Sequence, residues 1–250
     1  MLRLLLPAVL FMSCHNIIKK DNRVISTEKL DTIKTVQPSK ALPLFFERAF
    51  ALGTQEQGKT LPVNFYGVTV GSLKVETGRI VACDPFLIEE YGKPFAQIFP
   101  TGEFPLQFSI ANIGGEETIA FARINFSDTP VAKWEVALLP GEKPVAVNGK
   151  SEYGYVADAG IGVFMDEQAM KAISSQTPPQ LNSILKKEMD KHYRLYWRYA
   201  MYNVGQHNIA AFTSGAGEGR YTSYIGYDAQ GKPCRLLTDF GLIDWRNKEH

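Results

Sequence analysis

Thr118-Ile119-Ala120-Phe121-Ala122-Arg123-Ile124-Asn125-Phe126 is the stretch on which the reading of the fold turns. Successive side chains of a strand point to opposite faces, so Phe121, Arg123 and Asn125 share one face and Ala120, Ala122, Ile124 and Phe126 the other. The sheet that holds this strand is expected to have one face wet and the other buried. β-Branched and aromatic runs punctuated by Gly and Pro carry the same texture outward, and Val63 to Val70, Gly78 to Cys83, Leu106 to Ala111 and Trp134 to Leu138 read as further strands. Strands return at Ile209 to Phe212, Tyr221 to Tyr227 and Cys234 to Asp239. Ala229-Gln230-Gly231-Lys232 makes a hairpin turn between the last two.

Between these groups the period lengthens. Helices are expected from Asp166 to about Ser174 and from Pro178 to about Tyr199; in the second, Thr177 is the N-cap, Pro178 fills the first turn, and Leu181, Ile184, Leu185 and Met189 form one stripe. Leu42 to Leu52 predicts a short amphipathic helix, aromatics on one side and Glu47-Arg48 on the other. Strands and helices do not alternate, and no repeat period occurs. The expected fold is therefore α+β: one domain over residues 41–250, mostly antiparallel sheet, with a two-helix insertion near residues 166–199.

The N-terminus reads differently. Arg3 precedes an apolar run from Leu4 to Met12 that ends at Ser13-Cys14, too short to span a bilayer and interrupted by Pro7. Residues 1–13 are expected to be a lipoprotein signal peptide, with Cys14 the acylated first residue of the mature chain. Two or three acyl chains on one Cys anchor stably without spanning. Residues 14–40 are polar, mixed in charge and without a period, the composition of a tether. The expected location is the bacterial cell envelope, membrane-anchored through the lipid on Cys14.

The whole chain has 27 Lys+Arg against 26 Asp+Glu, and loss of residues 1–13 removes Arg3 and no acid, so the mature chain is balanced. A neutral domain without a basic block lacks the phosphate-neutralising charge that nucleic-acid binding needs, and nucleic acid is excluded as a partner. Besides Cys14 there are Cys83 and Cys234, which allow one disulfide or two buried thiols. No CxxC, HExxH or Cys/His ligand spacing occurs, so neither a metal nor another cofactor is expected.

Several blocks resemble a family known as domain of unknown function 4241, found mainly in bacteria. They are Gly78-Arg79-Ile80-Val81-Ala82-Cys83-Asp84-Pro85-Phe86, Pro100-Thr101-Gly102-Glu103-Phe104-Pro105, Ala120 to Ile124, Tyr153 to Asp166, and the C-terminal hairpin ending Thr238-Asp239-Phe240. The resemblance covers most of residues 60–243 and implies no activity; the export signal is this sequence's own.

Candidate chemistry gathers at carboxylates beside Gly or Pro. Asp84 precedes Pro85, Asp158 precedes Ala159-Gly160, and Asp166 stands at a strand-to-helix junction. If the strand ending at Asp84 lay beside the Asp158 loop, the three could meet at one sheet end and divide acid and base roles or hold a hard cation. Each also has a structural reading: a turn cap at Asp84, an Asx-type bond at Asp158, a helix N-cap at Asp166. Ser214-Gly215-Ala216-Gly217-Glu218-Gly219-Arg220 offers Gly215 and Gly217 for close ligand approach, with Glu218 and Arg220 to orient it, or a sharp bulged turn. It lacks the spacing of a phosphate loop. His207 is the one histidine placed to act as a base, and no G-x-S-x-G elbow accompanies it. Lys186 to Tyr199 is basic and aromatic together, either a solvated core-facing helix or one touching lipid headgroups. Two functions follow: a membrane-tethered domain binding a small ligand or envelope protein, or a metal-dependent or carboxylate-based hydrolase using the three Asp.

Overall fold

A computed structural model of the chain describes residues 43–58, 60–148 and 153–247. The signal peptide, Cys14 and the tether fall outside the described residues. The chain runs α1 (Phe45–Arg48), β1 (Thr54–Gln57), β2 (Pro62–Val75), β3 (Ile80–Cys83), α2 (Ile88–Tyr91), β4 (Gly102–Ile113), β5 (Glu116–Asn125) and β6 (Lys133–Val136). It continues through β7 (Tyr155–Ala157), β8 (Ile161–Asp166), α3 (Glu167–Ile173), α4 (Pro178–Asp190), β9 (Tyr199–Val204), β10 (His207–Thr213), β11 (Gly219–Tyr221), β12 (Ser223–Tyr227) and β13 (Pro233–Asp239). Strands β1-β2-β4-β5-β13-β12-β6 form one sheet, β3-β8-β10-β9 a second, and β7 with β11 a two-stranded ribbon. The strand pairs of all three are antiparallel. The α+β fold read from sequence is the fold found, and α3 and α4 are inserted between two strands of the second sheet.

The sheets face each other over one core. Phe212 of β10 stands edge-on to Phe108 of β4 at 5.3 Å and to Phe164 of β8 at 5.2 Å. The long β2 reaches both sheets: past Gly71, where its register with β4 shifts, Ser72 O accepts from Asn208 Nδ2 and Lys74 N donates to Asn208 Oδ1, both at 2.8 Å. Helices α3 and α4 cover the far side of the second sheet with Ala169, Ile173, Leu181, Leu185 and Met189. The 3.6-residue spacing of the last three gives α4 its buried stripe, with Pro178 in its first turn.

The expected wet face of the first sheet is buried. Phe121 and Arg123 are as enclosed as Ala122 and Ile124 on the opposite face. The cover is α1 with the C-terminal segment: Phe46 lies 4.8 Å from Tyr224, 5.0 Å from Trp134 and 4.7 Å from Trp245. Ser109 Oγ on β4 seats the helix by donating to Ala49 O at 2.6 Å.

This cover requires a charge arrangement. Arg123 and Arg235, on adjacent strands β5 and β13, are both buried, and Glu47 of α1 turns inward to meet them at 3.2 Å each. The expectation that Glu47 faces outward is thereby corrected: two buried guanidinium groups draw it in, since a buried charge without a partner is costly. Arg123 also donates to Gln107 Oε1 at 2.8 Å and lies 3.7 Å over the Phe50 ring. Arg235 donates to the carbonyls of Ser127 and Cys234.

The second expected helix also ends early, at Asp190 instead of near Tyr199. Its apolar stripe stops at Met189, and the next buried residues, Trp197 and Tyr199, are reached by a turn that leads into β9.

Glu47→Ala leaves two buried cations and is expected to cost about 3–5 kcal/mol in urea unfolding. Arg48→Ala, which loses the exposed pair with Glu56, is expected to cost about 0–1 kcal/mol.

Candidate functional site

Antiparallel pairing decides which loops meet. Cys83 is opposite Val163, and Thr213 is opposite Ile161, so the end of β3, the start of β8 and the end of β10 share one end of the second sheet. The segment after Asp84, the Asp158-Ala159-Gly160 loop and the Ser214–Glu218 loop therefore converge there. Asp166 pairs with Ile80 and stands at the opposite end, about 10 Å or more along the strands. The structure thus brings together Asp84 and Asp158 with Gly215, Gly217, Glu218 and Arg220, and leaves Asp166 out.

Asp84 is fully buried and organises this end. Its Oδ1 accepts from Phe86 N and its Oδ2 from Ala159 N, both at 2.8 Å, with the Asp158 amide a further donor. The first bond is an Asx turn that Pro85 suits; the second fastens a loop 75 residues away. Burial raises the Asp84 pKa above its ordinary value, against the lowering effect of the amides, and the Asp158 charge adds to the rise. Asp158 itself is exposed.

The Gly-rich loop is held by its own chain. Ser214 N donates to Gly160 O at 3.0 Å, while Ser214 Oγ and Tyr221 Oη donate to Gly217 O at 2.8 and 2.7 Å. Gly215 has φ +50° and its carbonyl accepts from Thr118 Oγ1 at 2.8 Å; a Cβ there would stand 2.5 Å from Cβ of Phe240. A Cβ on Gly160 would lie 3.3 Å from Cα of Gly217, so these two loops approach backbone to backbone. The loop is a turn held by its own chain, in which Gly215 and Gly217 both take positive φ. Glu218 and Arg220 are exposed, Arg220 donating to Gly154 O at 2.8 Å.

Two further residues join the rim from α2, which the sequence reading left unassigned. The Tyr91 hydroxyl pKa is raised, first by its hydrogen bond to Glu90 and by that carboxylate's charge; Arg220 lowers it and Asp158 raises it. Tyr91 therefore lies within electrostatic reach of Glu90, Asp158 and Arg220. No periodic signal marks Tyr91, since α2 is a single turn without buried residues. Behind α2 a cavity of about 200 Å³ lies between Pro85–Glu90 and the α3–α4 corner, walled by Phe86, Ile88, Ile173 and Leu181. That volume lies below the common range for organic-ligand pockets, roughly 300–1,000 Å³.

Asp166 has the structural role read for it and more. Its Oδ1 caps α3 by accepting from Gln168 N at 2.9 Å. Its Oδ2 accepts from Glu76 N at 3.0 Å and from Thr77 N and Thr77 Oγ1 at 2.9 Å, which ties down the β2–β3 turn.

The thiols and His207 are apart. Cys83 and Cys234 are buried free thiols, which decides between the two alternatives left open by the sequence. Burial pushes Cys83 far above its usual range, with Asp84 adding to the effect, and Cys234 up to about 11. His207 begins β10, the opposite end from Cys83, and its Nδ1 lies 2.6 Å from Glu76 Oε2. Among the described residues no three His, Cys, Asp or Glu side chains gather as a metal site.

A family model described as a protein of unknown function, DUF4241, matches residues 73–238, which is more than half of the chain. The match takes in the whole second sheet, α3, α4 and every residue of the converging loops. No curated protein and no solved structure matches the chain.

Asp84→Asn places an amide nitrogen against a backbone N–H and is expected to cost about 1–3 kcal/mol in urea unfolding, whereas the exposed Asp158→Asn changes little. An acid whose folded-state pKa is raised contributes stability that is complete below its ordinary value of 3.8 and lost as pH rises through the folded value. The stability gap between wild type and Asp84→Asn is therefore expected to narrow as pH rises through that window.

Proposed function

The chain belongs to the DUF4241 family of proteins of unknown function, and from that premise we propose that it is a membrane-tethered lipoprotein whose domain binds a small ligand or another envelope protein without catalysis. The binding face is the exposed rim of the converging loops: Glu90 and Tyr91 from α2, Asp158, Glu218 and Arg220. The observation that carries this reading is the Asp84 carboxylate, buried and occupied by backbone amides of two loops. It positions the rim and cannot touch a substrate, which is the arrangement of a supported recognition surface. The rim mixes three carboxylates, one guanidinium and one phenol, groups that pair with cationic and hydrogen-bonding partners.

A carboxylate-based hydrolase has less support. General acid–base work needs two carboxyl groups within reach of substrate, and here Asp84 is enclosed while Asp166 stands at the far end of the sheet. Tethering rests on the sequence from Arg3 to Cys14. Its support is the short apolar run, the small Ser13 before Cys14 and the polar stretch that follows.

Native mass spectrometry of the chain purified without chelator tests the binding reading, with Asp158→Asn/Glu218→Gln as the comparison. A bound molecule in wild type that is absent from the folded variant is expected. Bare mass in both, together with no protein cross-linked to the rim in intact cells, contradicts it. For tethering, the wild-type chain is expected in the detergent phase of a detergent partition, with Cys14→Ala shifting it to the aqueous phase. An aqueous wild type sinks that part of the proposal.

A further inference from the structure

We propose that the hairpin tip Tyr193–Tyr196, with the basic end of α4, docks on an anionic phospholipid bilayer. After α4 the chain folds into a tight hairpin in which Arg194 and Trp197 exchange both backbone hydrogen bonds at 2.8 Å, leaving Leu195 and Tyr196 at the apex. Leu195 is 67% exposed, more than any other large apolar side chain among the described residues, and Tyr193 and Tyr196 beside it are 54% and 49% exposed. Three such side chains within four residues form a projecting apolar point.

The backbone is arranged to present that point. Leu195 has φ +35°, the one positive φ at a non-glycine among the described residues, a conformation that L side chains avoid. Strain at an exposed apex persists where the surrounding structure over-determines it, and here it does. Tyr193 Oη donates to Leu195 O at 2.6 Å, and Trp197 below is buried beside Phe108 at 6.2 Å and Tyr199 at 6.1 Å. The tip is a fixed projection and not a loose loop.

Charge selects the occupant. From residue 186 to 198 the cations are Lys186, Lys187, Lys191, Arg194 and Arg198, against the acids Glu188 and Asp190. Lys191 takes Glu188 and Arg198 takes Asp190, each at 2.6 Å, so the surroundings of the tip carry a positive surplus. An apex of Leu195 and Tyr196, Tyr193 beside it and Lys along the adjoining helix end match the chemistry of an anionic bilayer interface, where apolar and aromatic side chains meet acyl chains and headgroups and cations meet phosphate. The proposal adds a second contact to the tethering reading and rests on it only for bringing the domain near a membrane. The 29 residues between Cys14 and Leu44 reach about 100 Å when extended, against about 40 Å for the stacked layers that separate α1 from α4. An N-terminal anchor therefore leaves the tip able to face the lipid.

The full chain carrying Cys14→Ser, so without an acyl group, is the material for the test. Leu195→Cys and, beyond α1, Leu52→Cys each take an environment-sensitive fluorophore, because Cys83 and Cys234 are buried. The probes are read on pure phosphatidylcholine vesicles and on phosphatidylcholine with phosphatidylglycerol at about three to one. The probe at position 195 is expected to shift to the blue on the anionic vesicles only, with the probe at 52 unmoved, and Lys186→Glu/Lys187→Glu is expected to weaken the response about tenfold or more. No shift at 195, an equal shift on both vesicle types, or an equal shift at 52 overturns the proposal. The detergent partition of the acylated chain judges the tether separately.

Discussion

A single buried carboxylate sets the geometry of the loop end of this molecule. Asp84 has left its strand but not the interior, and its two oxygens collect an amide from its own turn and an amide from a loop far along the chain. The second bond, with the neighbouring Asp158 amide, fastens the Asp158 loop to the end of β3, beside its contact with the Gly-rich loop. With it, three loops from different parts of the sequence lie side by side at one sheet end. The cost of burying a carboxyl is visible in its raised pKa, and the amides offset part of that cost. Asp166 does the same at the other end of the β3–β8 pair, joining a helix start to the β2–β3 turn. Two carboxylates, one at each end, thus fix what enters and leaves the smaller sheet.

The larger sheet solves a different problem. Both its faces are buried, so the guanidinium groups of Arg123 and Arg235 need an internal counterion, and α1 brings Glu47 to them beneath a layer of aromatic rings. This one-turn helix is too short to be stable alone. Its position comes from Phe45, Phe46 and Phe50 below it and from the ion cluster. The family match begins at residue 73, so it includes both arginines and leaves out the glutamate that neutralises them.

Most strands of the larger sheet were legible because β-branched and aromatic runs and turn residues such as Ala229–Lys232 act locally. The caps were legible for the same reason: Asp166 accepts from the free amide of Gln168, and Thr177 donates to the Gln180 side chain three residues on. What stayed hidden depends on distant chain. Arg123 reads as a solvent-facing residue until Glu47 and Phe50 are placed over it. Asp84, Asp158 and Asp166 look alike in sequence, and only antiparallel pairing sends two of them to one end and the third to the other. Tyr91 carries no pattern at all. The end of α4 was overrun because Lys, Arg and aromatic residues continue past Asp190 without a Gly or Pro to stop the helix.

On the proposed function Asp84 supports a recognition rim and is not a reacting group. Ala159 is exposed and outside any strand ladder, so protection of its amide reports the bond to Asp84 almost alone. Amide hydrogen exchange at Ala159 is therefore the most direct test. Slow exchange in the wild type, accelerated about ten- to hundredfold in Asp84→Asn while strand β8 stays protected, is the predicted result. Fast exchange of Ala159 in the wild type would mean that the carboxylate is free for other work, and would contradict the account.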